Sequence, residues 1–179
     1  MSSIFPKVDP DGLLEYSVVY TDRAVNHMSQ SLQQVMLDIS STLKKVYNAH
    51  SVAIVPGSGT FGMEAVARQF ATDKKCLVIR NGWFSYRWTQ IFEMGRIPSK
   101  EIVLMAQQTD ASATAPFAPP PIEDVIATIE KEKPDVVFAP HVETSSGMIL
   151  PNDYIQKVGE AIHAIGGLFV LDCIASGAI

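Results

Sequence analysis

The sequence of 179 residues has little cysteine and little charge. Its two cysteines, Cys76 and Cys173, lie in separate apolar segments, and their spacing fits neither a disulfide framework nor a metal site. Both are therefore predicted to be buried thiols in a reducing compartment, which favours a cytoplasmic protein. We also expect that the protein binds no metal ion.

An excess of basic residues and a long apolar run are also lacking. The chain has 14 lysines and arginines against 19 aspartates and glutamates, a balance that argues against binding to nucleic acid or to an anionic membrane. The apolar stretch 166–175 contains Asp172 and is far shorter than the roughly 20 residues that span a bilayer. Asp9, Asp11 and Glu15 stand where a secretory signal would be apolar. We therefore expect neither nucleic acid nor membrane as a partner.

What the sequence does contain is a regular alternation of apolar runs and helix-like segments. Residues 1–28 have no clear period and are predicted to form an N-terminal arm. The apolar spacing that follows predicts a helix capped by Ser29 or Ser31. Five later runs are predicted strands: Val52–Val55, Cys76–Ile79, Ile102–Met105, Val136–Ala139 and Leu168–Leu171. Because helical segments separate them, residues 29–179 are predicted to form an α/β domain with a doubly wound, mostly parallel sheet and helices on both faces.

The loop after the first predicted strand is rich in glycine. Gly57, Gly59 and Gly62 match the spacing of the dinucleotide-binding fingerprint, and such a loop before a helix favours any anion. The fingerprint also needs an acidic residue about 20 positions further on. The second predicted strand ends instead at Arg80 and Asn81. An NAD(P) site, a phosphate site and a tight turn without ligand all remain open.

Asp172 follows the last predicted strand, where an unpaired carboxylate is costly to bury. It is either a turn or capping residue, or the partner of a cationic group on a ligand. An anion-binding loop together with this carboxylate suits a ligand with a phosphate and a protonated nitrogen. Pyridoxal 5′-phosphate (PLP) has that shape, and an aspartate beside its pyridine nitrogen favours the protonated form.

Four sequence blocks in these loops resemble those of the class V aminotransferases of PLP fold type I. The blocks are residues 57–65, 81–87, 141–147 and 171–176. The sequence looks most like the alanine–glyoxylate and serine–pyruvate aminotransferases, followed by 2-aminoethylphosphonate–pyruvate aminotransferase. The resemblance implies the large domain of PLP fold type I, which is aspartate-aminotransferase-like, with PLP as cofactor and a homodimer as the assembly.

The resemblance also implies a role for individual residues. The implied cofactor-binding residues are Ser58, Gly59 and Thr60 for the phosphate, Phe84 stacked on the pyridine ring, Thr144 at the ring hydroxyl, Asp172 at the pyridine nitrogen, and Ile174 on the ring face opposite Phe84. Asp172 would be the catalytic residue among them. Trp83 is the alternative stacking residue, although we expect it to be a core aromatic, and Thr144 is otherwise a turn-stabilising threonine. His141 and Glu143 are expected to be buried, hydrogen-bonded polar residues.

The sequence departs from the family pattern in one respect that concerns catalysis. None of its lysines stands in the context of the Schiff-base lysine, and the C-terminal small domain with its substrate-binding arginine is not recognisable. We therefore expect residues 29–179 to be a partial PLP-binding large domain, the N-terminal portion of an aminotransferase that is inactive on its own. The complete enzyme would move an amino group from alanine or serine to glyoxylate or pyruvate. The alternatives are an NAD(P)-binding Rossmann module and a non-catalytic α/β binding domain.

Overall fold

The computed structural model describes His27 and residues 29–177. The predicted arm, residues 1–28, therefore lies outside the described residues except for His27. The chain forms two compact units, and the boundary between them falls between Ile54 and Val55. Among the described helices, none is long and apolar enough to cross a membrane.

The first unit contains the predicted long helix, α1, at Gln30–Val46. Of the two candidate caps, Ser29 is the one that acts, because its hydroxyl accepts a hydrogen bond from Leu32 N at 3.1 Å. The apolar stripe that predicts the helix is present, but none of the helix residues is buried.

The second unit carries the alternation of strands and helices. Its helices are α2 (Gly59–Phe70), α3 (Trp83–Gly95), α4 (Ile122–Glu132) and α5 (Asn152–Ala164). Its strands are β1 (Lys75–Arg80), β2 (Lys100–Met105), β3 (Gln107–Gln108), β4 (Phe117–Ala118), β5 (Val136–Pro140), β6 (Val142–Glu143), β7 (Met148–Ile149) and β8 (Leu168–Asp172). The short pairs β3–β4 and β6–β7 are antiparallel.

The four longer strands form one parallel sheet in the order β2-β1-β5-β8. The chain runs outward from β1 to β2, then crosses back past β1 to β5 and continues to β8. The direction of winding therefore reverses between β1 and β5. In open α/β sheets, ligands bind beyond the carboxyl ends of the strands at this point of reversal.

Helices cover both faces of the sheet, as the near-continuous apolar strands predict. On one face Leu77 and Val137 pack with the buried residues of α4 and α5. On the other face Val78 and Phe138 pack with α2 and α3, and the Phe138 ring centroid is 4.7 Å from that of Trp88. The predicted α/β fold with helices on both faces is thus confirmed.

The prediction of a strand at Val52–Val55 is wrong. These residues have no regular structure, and Ile54 and Val55 are exposed. Their β-branched side chains favour a strand, but a strand forms only where a neighbour supplies hydrogen bonds and packing. Within residues 29–177 this run pairs with no strand.

The prediction of buried thiols holds for one cysteine only. Cys76 is fully buried in β1, and burial raises the pKa of its thiol to about 12. Cys173 follows β8 and is half-buried, so the prediction of a buried thiol is wrong there. The apolar strand ends at Asp172, and the chain leaves the core at that residue.

Candidate active site

A cavity of about 380 Å³ lies at the carboxyl ends of the strands, near the reversal between β1 and β5. It is lined by Ser58, Gly59, Thr60, Met63, Phe84, Arg87, Pro140, Val142, Thr144, Asp172, Ile174 and Ala175. All seven residues predicted for cofactor binding are in this set. The topology thus brings together residues that lie more than a hundred positions apart in the sequence.

The N-terminus of α2 forms one wall of the cavity. Ser58 is the N-cap residue, but its side chain makes no capping bond, and the first turn contains no acidic residue. The first backbone bond of the helix runs from Phe61 N to Ser58 O, so the amides of Gly59 and Thr60 are left for another acceptor. A Cβ added at Gly59 would collide with Cδ1 of Ile174, which explains a small residue there. This wall can bind an anion.

The N-terminal part of α3 supplies an aromatic ring and a cation to the same cavity. Phe84 and Arg87 are three residues apart and therefore lie on one face of the helix. The Arg87 guanidinium carbon lies 5.7 Å from the Phe84 ring centroid. Its Nη1 donates a hydrogen bond to Thr60 Oγ1 at 3.0 Å, which links α3 to the start of α2.

Trp83, the alternative stacking residue, does not line the cavity. Its side chain is 59% exposed and its ring lies 5.7 Å from that of Tyr86. The expectation of a core aromatic is therefore wrong for Trp83. Consecutive helical residues point about 100° apart, and in this helix Phe84 lines the cavity while Trp83 does not.

Asp172 ends β8 and lines the cavity. Its Oδ1 accepts one hydrogen bond, from Ile174 N at 3.2 Å, and within residues 29–177 it forms no ion pair. Burial raises the pKa of Asp172, and the charge of Glu143 raises it further against the effect of the Ile174 hydrogen bond. A cation placed directly beside the carboxylate would relieve this unfavourable environment.

Thr144 and Ile174 complete the lining predicted from the sequence. Thr144 lies in the turn between β6 and β7 and is exposed. Its hydroxyl makes no hydrogen bond to any described residue, so the structure offers no support for a turn-stabilising role. Ile174 is 70% exposed and lines the cavity together with Phe84.

Glu143 lies beside the cavity and is fully buried. Its carboxylate accepts hydrogen bonds from Ser85 N at 2.8 Å, from Phe84 N at 3.1 Å, and from the hydroxyls of Ser85 and Ser145. Burial alone would raise its pKa, but these hydrogen bonds outweigh burial and lower it. Glu143 therefore remains ionised and caps the N-terminus of α3 from the other side of the crevice.

Gly82, which precedes α3, permits the close approach of the Glu143 side chain to the N-terminus of that helix. A Cβ added there would lie 2.7 Å from Cγ of Glu143, so a larger residue would push the loop after β5 away from α3. Ser145 Oγ also accepts a hydrogen bond from Trp83 N at 2.8 Å. The first three amides of α3 are thus satisfied by residues 143 and 145, which fixes the backbone that carries Phe84.

His141 is half-buried and joins the loops after β5 and β8. Its backbone N donates to Asp172 O at 2.9 Å, and its Nδ1 lies 2.8 Å from Ser176 Oγ. The expectation of a buried, hydrogen-bonded residue holds for Glu143, whereas His141 is hydrogen-bonded but only half-buried. Neither side chain lines the cavity.

Sequence reasoning missed Arg87 and Ser145. The position of Arg87 three residues after Phe84 in the same block is a signal that could have identified it. Ser145 offered no such signal, because its role depends on a contact with α3 across 62 residues. No lysine of the described residues lines the cavity.

The dinucleotide fingerprint lacks its structural context. The strand that should precede Gly57 is not formed. The last glycine of that motif normally permits close packing of helix and strand. A Cβ added at Gly62, however, would meet no atom within 4 Å. The glycine spacing therefore gives little support to an NAD(P) site.

The chain matches no protein-family model. It is 28% identical over 161 residues to the (S)-ureidoglycine–glyoxylate transaminase of Bacillus subtilis, and this alignment covers 88% of this chain and 36% of the relative. It is 28% identical over 147 residues to a 2-aminoethylphosphonate–pyruvate transaminase of Bacillus cereus, covering 81% and 37%. It is 27% identical over 157 residues to the alanine–glyoxylate aminotransferase of Rattus norvegicus, covering 86% and 35%.

Solved structures show the same similarity. The ureidoglycine–glyoxylate aminotransferase of Bacillus subtilis superposes with a TM-score of 0.68 at 26% identity, over 85% of this chain and 37% of that one. The pyridoxamine–pyruvate aminotransferase of Mesorhizobium loti gives 0.70 at 18% identity, over 86% and 37%, which shows a shared fold.

The fold is therefore that of the aminotransferases of PLP fold type I, represented in part. The chain is a homologue of class V-type aminotransferases, and the resemblance inferred from the four sequence blocks is confirmed. The chain spans little more than a third of the length of the relatives it matches.

Proposed function

We propose that this chain is the PLP-binding part of an aminotransferase that moves an amino group from a small amino acid, alanine or serine, to glyoxylate or pyruvate. In net terms the donor gives its amino group and α-hydrogen to the 2-oxo acid and takes the carbonyl oxygen in return. The donor is thereby oxidised by two electrons and the acceptor reduced by two. The single observation that carries the proposal is the cavity in which all seven predicted residues meet.

The residues present fit PLP by their chemistry. Ser58, Gly59 and Thr60 would hold the phosphate with free amides and hydroxyls. Phe84 and Ile174 offer apolar surfaces for the ring. Thr144 would bind the ring hydroxyl with a side chain that has no other partner among the described residues.

Asp172 would pair with the pyridine nitrogen and keep it protonated. This pairing would also compensate the carboxylate, whose pKa is raised by burial in the ligand-free chain. When bound, PLP supplies a protonated ring that acts as an electron sink for the electron pair left by the departing α-hydrogen. Asp172 is the catalytic residue that this chain contributes.

The amino transfer also needs a base and an amine, a role that a lysine fills in enzymes of this class. No lysine of the described residues lines the cavity. We therefore propose that the 179-residue chain binds PLP but does not itself transfer amino groups. A measurable rate of pyruvate formation from alanine and glyoxylate by this chain would contradict that proposal.

PLP binding is tested by titrating the chain with PLP and following the protein fluorescence and the absorbance of the cofactor. We expect saturable binding of PLP and no binding of NADPH. Tight NADPH binding without PLP binding would overturn the proposal in favour of a dinucleotide site.

A second candidate reaction is amino transfer from 2-aminoethylphosphonate to pyruvate, because several of the similar proteins carry that name. The product of the complete reading frame, assayed with alanine, serine and 2-aminoethylphosphonate against glyoxylate and pyruvate, distinguishes the two. We also propose that the protein is a homodimer in the cytoplasm. Light scattering of the purified protein tests the oligomeric state, and a monomer at micromolar concentration would contradict the proposed dimer.

A further inference from the structure

Arg87 lines the cavity, and neither the motifs nor the resemblance assigns it a role. It lies on α3 and reaches across to α2, where its Nη1 donates to Thr60 Oγ1 at 3.0 Å. Arg87 thus contacts one of the three residues proposed to hold the phosphate.

The direction of this hydrogen bond follows from the chemistry of the two groups. A guanidinium has donors only, so the Thr60 oxygen must accept. The hydroxyl proton of Thr60 is then free to be donated to a ligand. Arg87 therefore acts as a positioning group that sets Thr60 as a donor toward the cavity.

A second observation concerns the charge of Arg87. Within residues 29–177 Arg87 forms no ion pair, whereas Arg68, about two turns after Thr60 in α2, is paired with Glu64 at 2.7 Å. The first turn of α2 contains no acidic residue that could neutralise Arg87 instead. An unpaired, permanently charged group beside a helix N-terminus favours an anion at that point.

We propose that Arg87 is the cation of the phosphate subsite and that it makes the cavity prefer PLP over pyridoxal, the same ring without phosphate. This inference rests on the proposed function, because it concerns the cofactor of that same cavity. Arg87 would act in two ways, through its charge and through the orientation of the Thr60 hydroxyl.

The test compares the dissociation constants for PLP and pyridoxal in the 179-residue chain and its variants, measured by fluorescence titration. In Arg87→Gln we expect the constant for PLP to rise about ten-fold or more, as loss of a charge-assisted contact predicts, with little change for pyridoxal. Arg87→Lys keeps the charge and should retain most of the preference for PLP. The matched control, Arg68→Gln, removes the same charge from α2 and should leave both constants unchanged.

Thermal unfolding of each variant shows whether it folds. If Arg87→Gln does not fold, the wild-type chain still provides a test through phenylglyoxal, which modifies accessible arginines. Inorganic phosphate and PLP should slow the modification of Arg87, mapped by mass spectrometry, while pyridoxal should not. Modification of Arg68 should be unaffected by all three.

The outcomes separate this inference from the proposed function. A wild-type chain that binds neither PLP nor pyridoxal overturns the proposed function, and the inference with it. If the wild-type chain binds PLP and Arg87→Gln keeps the same preference for PLP over pyridoxal, only the inference about Arg87 is overturned. Equal loss of PLP and pyridoxal also overturns it, since Arg87 would then act on the ring through Phe84. The inference is also overturned if inorganic phosphate and PLP do not slow the modification of Arg87 by phenylglyoxal.

Discussion

Two carboxylates lie at the same edge of the sheet, and the fold treats them in opposite ways. Glu143 is fully buried, accepts four hydrogen bonds from α3 and Ser145, and has a lowered pKa. Asp172 is half-buried, accepts one hydrogen bond from Ile174 N, and has a raised pKa.

The difference indicates what each carboxylate is for. The hydrogen bonds of Glu143 are all supplied by the chain, so its charge stabilises the structure of the crevice. Asp172 forms no ion pair within residues 29–177, so its charge would become more favourable if a ligand placed a cation beside it. This contrast supports the proposal that Glu143 has a structural role and Asp172 a role in ligand binding.

The largest expected effect is the loss of stability when Glu143 is replaced. In Glu143→Ala two buried amides and two hydroxyls lose their acceptor, and we expect the free energy of unfolding to fall by about 3 kcal/mol. Urea denaturation followed by circular dichroism measures this. The control is Glu64→Ala, which removes an exposed ion pair and should cost less than about 1 kcal/mol. Equal losses in the two variants would show that the Glu143 network does not stabilise the fold.

The next effect concerns ligand binding by Asp172. In Asp172→Asn the pyridine nitrogen loses its anionic partner, and we expect PLP to bind about ten-fold more weakly. Some PLP binding should remain, because the phosphate subsite is intact. Asp153→Asn removes the same charge from the exposed first turn of α5 and should leave PLP affinity unchanged. PLP affinity unchanged in Asp172→Asn would contradict the assignment of Asp172. In an active enzyme containing this site, the same substitution should nearly abolish amino transfer.

The two carboxylates also predict opposite contributions to the pH dependence of stability. The pKa of Asp172 is raised in the folded chain, so its ionised form is destabilising at neutral pH, and protonation relieves this as the pH falls through the raised pKa. The pKa of Glu143 is lowered, so its contribution is present above the unfolded pKa and is lost on further acidification.

We therefore expect Asp172→Asn to flatten the upper part of the stability profile between neutrality and about pH 4, and Glu143→Gln to flatten the part below about pH 4. The measurement is urea denaturation of the ligand-free chain at closely spaced pH values. If Asp172→Asn instead flattened the part below about pH 4 and Glu143→Gln the part above it, the roles assigned to the two groups would be wrong.

The smallest effect concerns Gly62, which the dinucleotide interpretation would require. Because an added Cβ meets no atom within 4 Å, Gly62→Ala should stabilise α2 by about 0.5–1 kcal/mol and leave PLP affinity unchanged. In contrast, a Cβ at position 59 would displace Cδ1 of Ile174 in the cavity lining, so Gly59→Ala should weaken PLP binding. A loss of ligand binding in Gly62→Ala would revive the alternative of a fingerprint glycine.

Much of the fold follows from local sequence patterns. Four of the five predicted strands form the sheet, and helices lie between them as predicted. Val52–Val55 shows the limit of this approach, because its composition is that of a strand but it lacks a partner among the described residues. Propensity is a property of the segment itself, whereas pairing depends on a neighbour that the segment does not encode.

The candidate site was predicted through the four sequence blocks and the rule that ligands bind at the carboxyl ends of strands. Those two lines of reasoning identified seven of the residues that line the cavity. They did not identify Arg87, and they did not decide between Trp83 and Phe84. Both questions depend on the direction in which α3 presents its first turn.

The sequence by itself determined the α/β class, the order of the elements and the loops in which the polar residues lie. These features depend on the spacing of apolar residues along short segments, which is local information. Tertiary structure alone decided that the carboxylate of Glu143 accepts four hydrogen bonds, whereas that of Asp172 accepts one and forms no ion pair within residues 29–177. The reason is that Glu143 reaches α3 across 58 residues, and only the folded chain brings these groups within hydrogen-bonding distance.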